Sequence, residues 1–203
     1  MTQVKICGIK SIEDVKVINK YAPDYVGFVF AKSKRQITQT QAKKLKSELN
    51  CNIKTVGVFV NESIENIVNL CKNEVIDFIQ LHGDEDEKYI KTLNLYIKNP
   101  VIKAVRVQNT QQILNAQNLP CQMLLLDTYT KNQYGGSGKT FDYTLIPKLE
   151  KPFFLAGGIN EKNVRTAIKS SNPFCIDVSS GVETKGEKDA LKIKNIIEIA
   201  KGI

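Results

Sequence analysis

Two short apolar runs end on residues able to move protons. VKIC (4–7) ends on Cys7 with Gly8 directly after it, and MLLLD (123–127) ends on Asp127. A thiolate can take a proton from carbon, and a carboxylic acid can give one to an oxygen leaving group. Ordinary pKa values of about 8.5 for Cys and about 3.9 for Asp suit neither role at neutral pH. A site using the pair must lower the first and raise the second. The plainer readings are that Cys7 fills a core and that Asp127 caps a loop or helix. Two glycine-bearing stretches, AGGIN (156–160) and SSGVE (179–183), could let a phosphate approach the backbone N–H groups of Gly157, Gly158, Ser180 and Gly181. Otherwise they make tight turns. Arg35, in AKSKRQIT, can fork onto a carboxylate or phosphate, unless it is a surface arginine. His82, the single histidine, suits ring positioning or a supporting hydrogen bond better than proton transfer. Asp177, inside the apolar run CIDVS, either reaches a substrate hydroxyl or is a buried structural carboxylate.

These residues need a frame. Apolar, β-branched runs occur at 4–7, 25–30, 54–60, 75–81, 101–107, 123–127, 153–156 and 175–179. Between them lie segments of helical spacing with side-chain caps at their starts, such as Ser11, Thr38 and Asn61. The sixth helical segment is expected in FDYTLIPKL. Eight strands alternating with eight helices must lie parallel, and eight can close on themselves. An open doubly wound sheet is the alternative, but it usually begins with a GxGxxG turn, and none occurs here. The expected fold is therefore α/β: one small (β/α)8 TIM barrel of parallel strands spanning 1–203. Barrel chemistry sits at the C-terminal ends of the strands. Eight of the nine candidates fall there and Asp177 lies inside strand 8, facing the barrel interior, with phosphate expected at the loops after strands 7 and 8 and a short helix beginning near Ser180. The stretch from 128 to 143, TYTKNQYGGSGKTFDY, reads as a glycine-rich, basic lid that excludes water.

Composition narrows the function classes. The five cysteines are scattered without a CxxC and accompany one His, so neither a zinc site nor a disulfide framework is expected. No metal is expected on that count, and the compartment is expected to be cytoplasmic. No apolar run approaches the roughly 18 residues of a membrane span, so no membrane partner is expected. Net charge is +8, but only three of the 29 basic residues are Arg and none clusters with aromatics, which argues against nucleic acid and for a small anionic substrate.

Taken together, KICGI, GFVFAKSKR, VGVFVN, IQLHGDE, LLLDTYTKNQYGGSGKTFDY, LAGGIN and IDVSSGVETKGEKD resemble the phosphoribosylanthranilate isomerase family of tryptophan biosynthesis, in order and from residue 4 to about 190. The resemblance implies a cofactor-free Amadori rearrangement of an aminoaldose to an aminoketose. It implies Cys7 as general base, Asp127 as general acid, Arg35 on the anthranilate carboxylate, and the two glycine loops on the phosphate. His82 and Asp177 are expected on the substrate as well, and the enzyme is expected to be a monomer. Three positions depart from the family pattern: Lys34 stands where Pro is usual, Ser137 replaces Thr in GGTG, and Tyr143 replaces Trp. The first bears on the aim of Arg35 and the others on lid packing. Rival readings are the analogous isomerase of histidine biosynthesis, which uses two carboxylates and two phosphate sites, and a phosphopentose epimerase, which needs more metal ligands than one His supplies. A non-catalytic phosphate-binding barrel would keep the glycines without the Cys7 and Asp127 pair.

Overall fold

A computed structural model describes residues 1–129 and 140–202. Eight parallel strands, β1 (Gln3–Cys7), β2 (Tyr25–Val29), β3 (Lys54–Phe59), β4 (Phe78–Leu81), β5 (Val101–Val107), β6 (Met123–Thr128), β7 (Phe153–Leu155) and β8 (Cys175–Val178), close in sequence order into a barrel. Closure is made by β1 against β8, where Gln3 pairs with Cys175, Lys5 with Asp177 and Ile6 with Val178. Among the described residues there are seven α-helices: α1 (Ile12–Tyr21), α2 (Gln39–Ser47), α3 (Ile64–Lys72), α4 (Glu87–Asn94), α5 (Thr110–Gln117), α6 (Val164–Ser171) and α7 (Ala190–Lys201).

The period of two along each strand decides what enters the barrel. On β1, Val4 and Ile6 join the large aliphatic layer between strands and helices, which leaves Lys5 and Cys7 on the inward parity. The interior below the site is filled by a second cluster that includes Tyr25, Val56, Ile102, Leu125 and Phe154. Asp127 shares parity with Leu125, and Asp177 with Cys175. Alternation alone thus carries the candidates to one interior.

The helix starts follow local chemistry. Ser11 and Thr38 each form a reciprocal capping box with the residue three positions on, Asp14 and Gln41. Asn61 does not cap α3: it takes a left-handed turn with φ 50°, and Ser63 supplies the cap. The sixth helical segment is also a correction. FDYTLIPKL forms only a 3-10 turn at Tyr143–Leu145, after which Ile146 is extended at φ −80°, ψ 110°. Pro147 forces that, because its ring disfavours the helical region for the preceding residue.

The segment after β8 adds a feature with no counterpart in the alternating pattern. A 3-10 turn (Ser180–Val182) leads into a two-stranded antiparallel hairpin, β9 (Glu183–Thr184) and β10 (Glu187–Lys188). The expected lid falls mostly on 130–139, outside the described residues.

Candidate active site

The catalytic end of the barrel holds a cavity of about 730 Å³ lined by Cys7, Arg35, His82, Asp127, Asp177 and both glycine loops. All nine expected residues meet there. A larger groove of about 930 Å³ lies at the opposite end, between the first three residues and the 146–153 segment. It collects none of them, and barrel chemistry belongs at the strands' C-terminal ends, so the smaller cavity is the site.

Cys7 is buried at the tip of β1, in register with Gly27 on β2. A Cβ on Gly27 would stand 2.5 Å from the Cys7 Sγ, so only glycine leaves the thiol its place. Burial pushes the thiol above its ordinary value; Lys5, Lys188 and Arg35 pull it down and Asp177 pushes it up, with the net shift upward. The expected lowering is therefore not met, because desolvation of the anion outweighs the nearby cations.

Asp127 is buried at the end of β6, where its Oδ1 accepts from the Thr128 N–H at 2.7 Å. Its Oδ2 lies 3.2 Å from His82 Nε2. That nitrogen is not aligned for a hydrogen bond with it and has no other protein partner among the described residues. Gly157 (φ 86°) passes so close to Thr128 and Asp127 that a side chain there would strike both. The loop after β7 thus presses against the acid. Both Gly157 and Gly158 take positive φ, and the Asn160 and Asn163 side chains donate to the Gly158 carbonyl at 3.0 and 2.9 Å, fixing the turn. The helix expected near Ser180 is only a three-residue turn, so an anion there would rely on backbone amides rather than on a macrodipole.

Arg35 is already engaged. Its Nε and Nη2 donate to Glu183 Oε1 and Oε2 at 2.6 and 2.8 Å, a bidentate fork. Glu183 also takes Lys188 at 3.0 Å, with Lys34 at 3.9 Å. Burial alone would raise the Glu183 carboxyl, but Arg35 and Lys188 outweigh it and hold it at about 2. Lys188 in turn donates to the Cys7 carbonyl at 2.6 Å.

Sequence reasoning missed Lys5, Gln80, Glu183 and Lys188. Lys5 is fully buried and donates to Asp177 Oδ2 at 2.8 Å and to Gln80 Oε1 at 2.7 Å. The signal was present: Lys5 lies two residues before Cys7, hence on its parity, and a carboxylate within the apolar β8 calls for a buried cation. The other oxygen of Asp177, Oδ1, is buried with no protein partner among the described residues. One acceptor of Asp177 is therefore left unsatisfied by the described protein groups.

The family model for N-(5'phosphoribosyl)anthranilate (PRA) isomerase matches residues 4–199. The N-(5'-phosphoribosyl)anthranilate isomerase of Endomicrobium trichonymphae is 50% identical over 203 residues, covering all of both chains. That of Lachnoclostridium phytofermentans is 48% identical over 96% of this chain and 95% of its own. The crystal structure of phosphoribosyl anthranilate isomerase from Thermotoga maritima covers both chains fully with a TM-score of 0.88 and 39% identity. Another isomerase structure, in complex with reduced 1-(o-carboxyphenylamino)-1-deoxyribulose 5-phosphate, superposes with a TM-score of 0.84 at 38% identity, again over both full chains. The barrel, the cavity at its catalytic end and these full-length likenesses agree: the chain belongs to the N-(5'-phosphoribosyl)anthranilate isomerase family.

Proposed function

We propose that this isomerase of tryptophan biosynthesis rearranges N-(5'-phosphoribosyl)anthranilate to 1-(2-carboxyphenylamino)-1-deoxyribulose 5-phosphate by general acid–base catalysis, with Cys7 as base and Asp127 as acid. The observation that carries the assignment is the placement of a buried thiol and a buried carboxyl on the inward parity of β1 and β6, lining one cavity. Asp127 protonates the furanose ring oxygen. The C1–O bond breaks as the nitrogen lone pair forms the C1=N iminium. The Cys7 thiolate then takes the proton from C2, and that electron pair forms C1=C2 and neutralises the iminium. The enolamine tautomerises to the ketone, C2–OH losing a proton and C1 gaining one. No atom is gained or lost, and Cys7 and Asp127 carry the protons, so the reaction as written draws on neither cofactor nor metal.

The remaining residues hold the substrate. The amides around Gly157, Gly158, Ser180 and Gly181 take the phosphate. Asp177 Oδ1 accepts from a sugar hydroxyl, and the His82 ring packs against the substrate. Arg35 takes the anthranilate carboxylate by exchanging out of its fork with Glu183, a carboxylate that occupies it when no ligand is bound. Every one of these residues comes from a single barrel, so one chain carries a whole site, and we take the monomer as the working unit. Five free cysteines fit a reducing, cytoplasmic compartment. No described helix is long and apolar enough to cross a membrane.

The test is loss of substrate fluorescence on adding purified protein. Wild type is expected to consume the substrate. Cys7→Ala is expected to bind it while losing about 10²- to 10⁴-fold in kcat, the usual worth of a general base. A Cys7→Ala protein retaining a third of the wild-type kcat would remove the base from β1.

A further inference from the structure

A buried polar chain crosses the barrel beneath the cavity and sets a proton's position at its far end. It runs from Asp177 on β8 to Lys5 on β1, then to Gln80 on β4, His82 after β4 and Asp127 on β6. Each junction but the last is 2.7 or 2.8 Å. A lysine ammonium has three donors and no acceptor, so the Gln80 atom 2.7 Å from Lys5 Nζ must be its oxygen. The Gln80 NH2 then faces His82 Nδ1 at 2.7 Å. An amide NH2 only donates, so Nδ1 must accept and carry no hydrogen. The ring hydrogen is left on Nε2, 3.2 Å from Asp127 Oδ2.

We propose that Gln80 is a positioning residue for the acid: oriented by Lys5, it fixes His82 in the neutral Nε2–H tautomer, so that an uncharged donor stands beside Asp127. This rests on the reading of Asp127 as the acid. The arrangement fits that role. An N–H 3.2 Å from Oδ2, not aligned as a hydrogen bond but with its positive end near that oxygen, stabilises by charge–dipole attraction the carboxylate formed once Asp127 has given up its proton. An imidazolium in the same place would pull the proton off beforehand, and the Gln80 NH2 denies Nδ1 the second hydrogen an imidazolium needs. Cys7, Lys32, Lys34, Arg35 and Asp177 also line the cavity, with Lys5 on β1 and Glu183 and Lys188 on the hairpin behind them, and the Lys103–Glu85 and Arg106–Asp84 pairs join β5 to the loop after β4. Among the described residues, Gln80 and Asp127 stand at the His82 ring nitrogens.

With a single histidine in the chain, nitrogen NMR of uniformly ¹⁵N-labelled protein without ligand at neutral pH reads the tautomer directly. The expected spectrum shows a protonated, pyrrole-type Nε2 and a bare, pyridine-type Nδ1. A ring protonated at Nδ1, alone or together with Nε2, overturns the proposal. Gln80→Glu supplies the second readout. Its carboxylate accepts from Nδ1–H, so the ring should become doubly protonated. The carboxyl limb of the kcat/KM profile should then move down by about one pH unit, the low end of the effect of a nearby opposite charge, and the plateau should fall about tenfold. A doubly protonated ring with that limb unmoved would equally overturn it, since a merely structural Gln80 would change stability or KM alone. If Gln80→Glu does not fold, the wild-type spectrum decides by itself. Near-normal kcat in Asp127→Asn would remove the acid assignment while leaving the measured tautomer standing, so the two failures are distinct.

Discussion

At the scale of single residues, the Cys7 thiol and the Arg35 guanidinium are both held by their surroundings in states that a substrate must change. Burial keeps Cys7 above the ordinary thiol value. At neutral pH most molecules therefore carry the neutral thiol, so the thiolate that the proposed mechanism uses is a minority population. In that mechanism a modest base suffices, because the iminium at C1 is an electron sink. Arg35, forked onto Glu183, has to trade one carboxylate for another. On the proposed reading the exchange favours the substrate because Glu183 keeps Lys188 when it leaves the fork, which makes Arg35 a binding rather than a chemical group. Arg35→Ala is expected to raise KM and leave kcat nearly unchanged, since a carboxylate remote from C1 and C2 is held alike in ground and transition states. A charged hydrogen-bond pair contributes about 1.5–3 kcal/mol, so kcat/KM should fall roughly ten- to a hundredfold. Steady-state kinetics check this; an unchanged KM would leave Arg35 a partner of Glu183 alone.

At the scale of elements, the seam between β1 and β8 closes the barrel and also carries the Lys5–Asp177 pair, opposite one another in register. Removing one partner of a buried ion pair strands the other charge, a loss of about 3–5 kcal/mol, whereas replacing both by apolar residues is often neutral. Lys5→Met should therefore lower denaturant stability by that amount, and Lys5→Met combined with Asp177→Leu should recover most of it. Equal losses in the single and double variants would show that the pair is not what holds the seam. Lys5 was legible in principle, from parity with Cys7 and the carboxylate in β8, but only after the strands were known to be neighbours. Glu183 and Lys188 carried no such signal. Their two-residue strands are too short for periodicity to register, and they reach the site through a hairpin that sequence spacing does not foretell. The strands themselves were legible because each is an apolar run between turn residues. The sixth helix was misread because FDYTLIPKL has helical spacing but contains the proline that stops it.

At the scale of the whole molecule, the barrel separates stability from chemistry along its axis. Its lower interior is aromatic and aliphatic. Tyr25 packs edge-on against Phe154 and Phe78, with ring centroids 5.4 and 5.3 Å apart. Its upper interior is the polar chain and the cavity. Phe154 is fully buried, so Phe154→Ala should cost about 3–5 kcal/mol of stability. It should leave kcat and KM of the folded fraction near wild type, because the truncated ring lies among the interior apolar cluster rather than along the cavity. Denaturant melts and kinetics on the same preparations test the division. A large fall in kcat at full folding would mean that the lower core sets the geometry of the site. The meeting of the nine candidates at one cavity was legible from the fold class, since all but Asp177 stand at the end of a strand or in the loop after it. Which partners hold those candidates was not, because the contacts cross the barrel between residues as far apart as Lys5 and Asp177.

The pairing of Cys7 with Asp127 is tested most directly by the pH dependence of kcat/KM in wild type beside Asp127→Asn. With a thiol raised by burial, wild type should give a bell whose high-pH fall lies above the ordinary thiol value of about 8.5. That fall marks loss of the last proton shared by the pair. The amide cannot protonate a ring oxygen, so Asp127→Asn should lose at least about a hundredfold in kcat. With only Cys7 left to titrate, its kcat/KM should rise through the same region, turning the wild-type fall into a climb. An amide variant with near-normal kcat and an unchanged bell would contradict the account, because ring opening would then need no acid from β6.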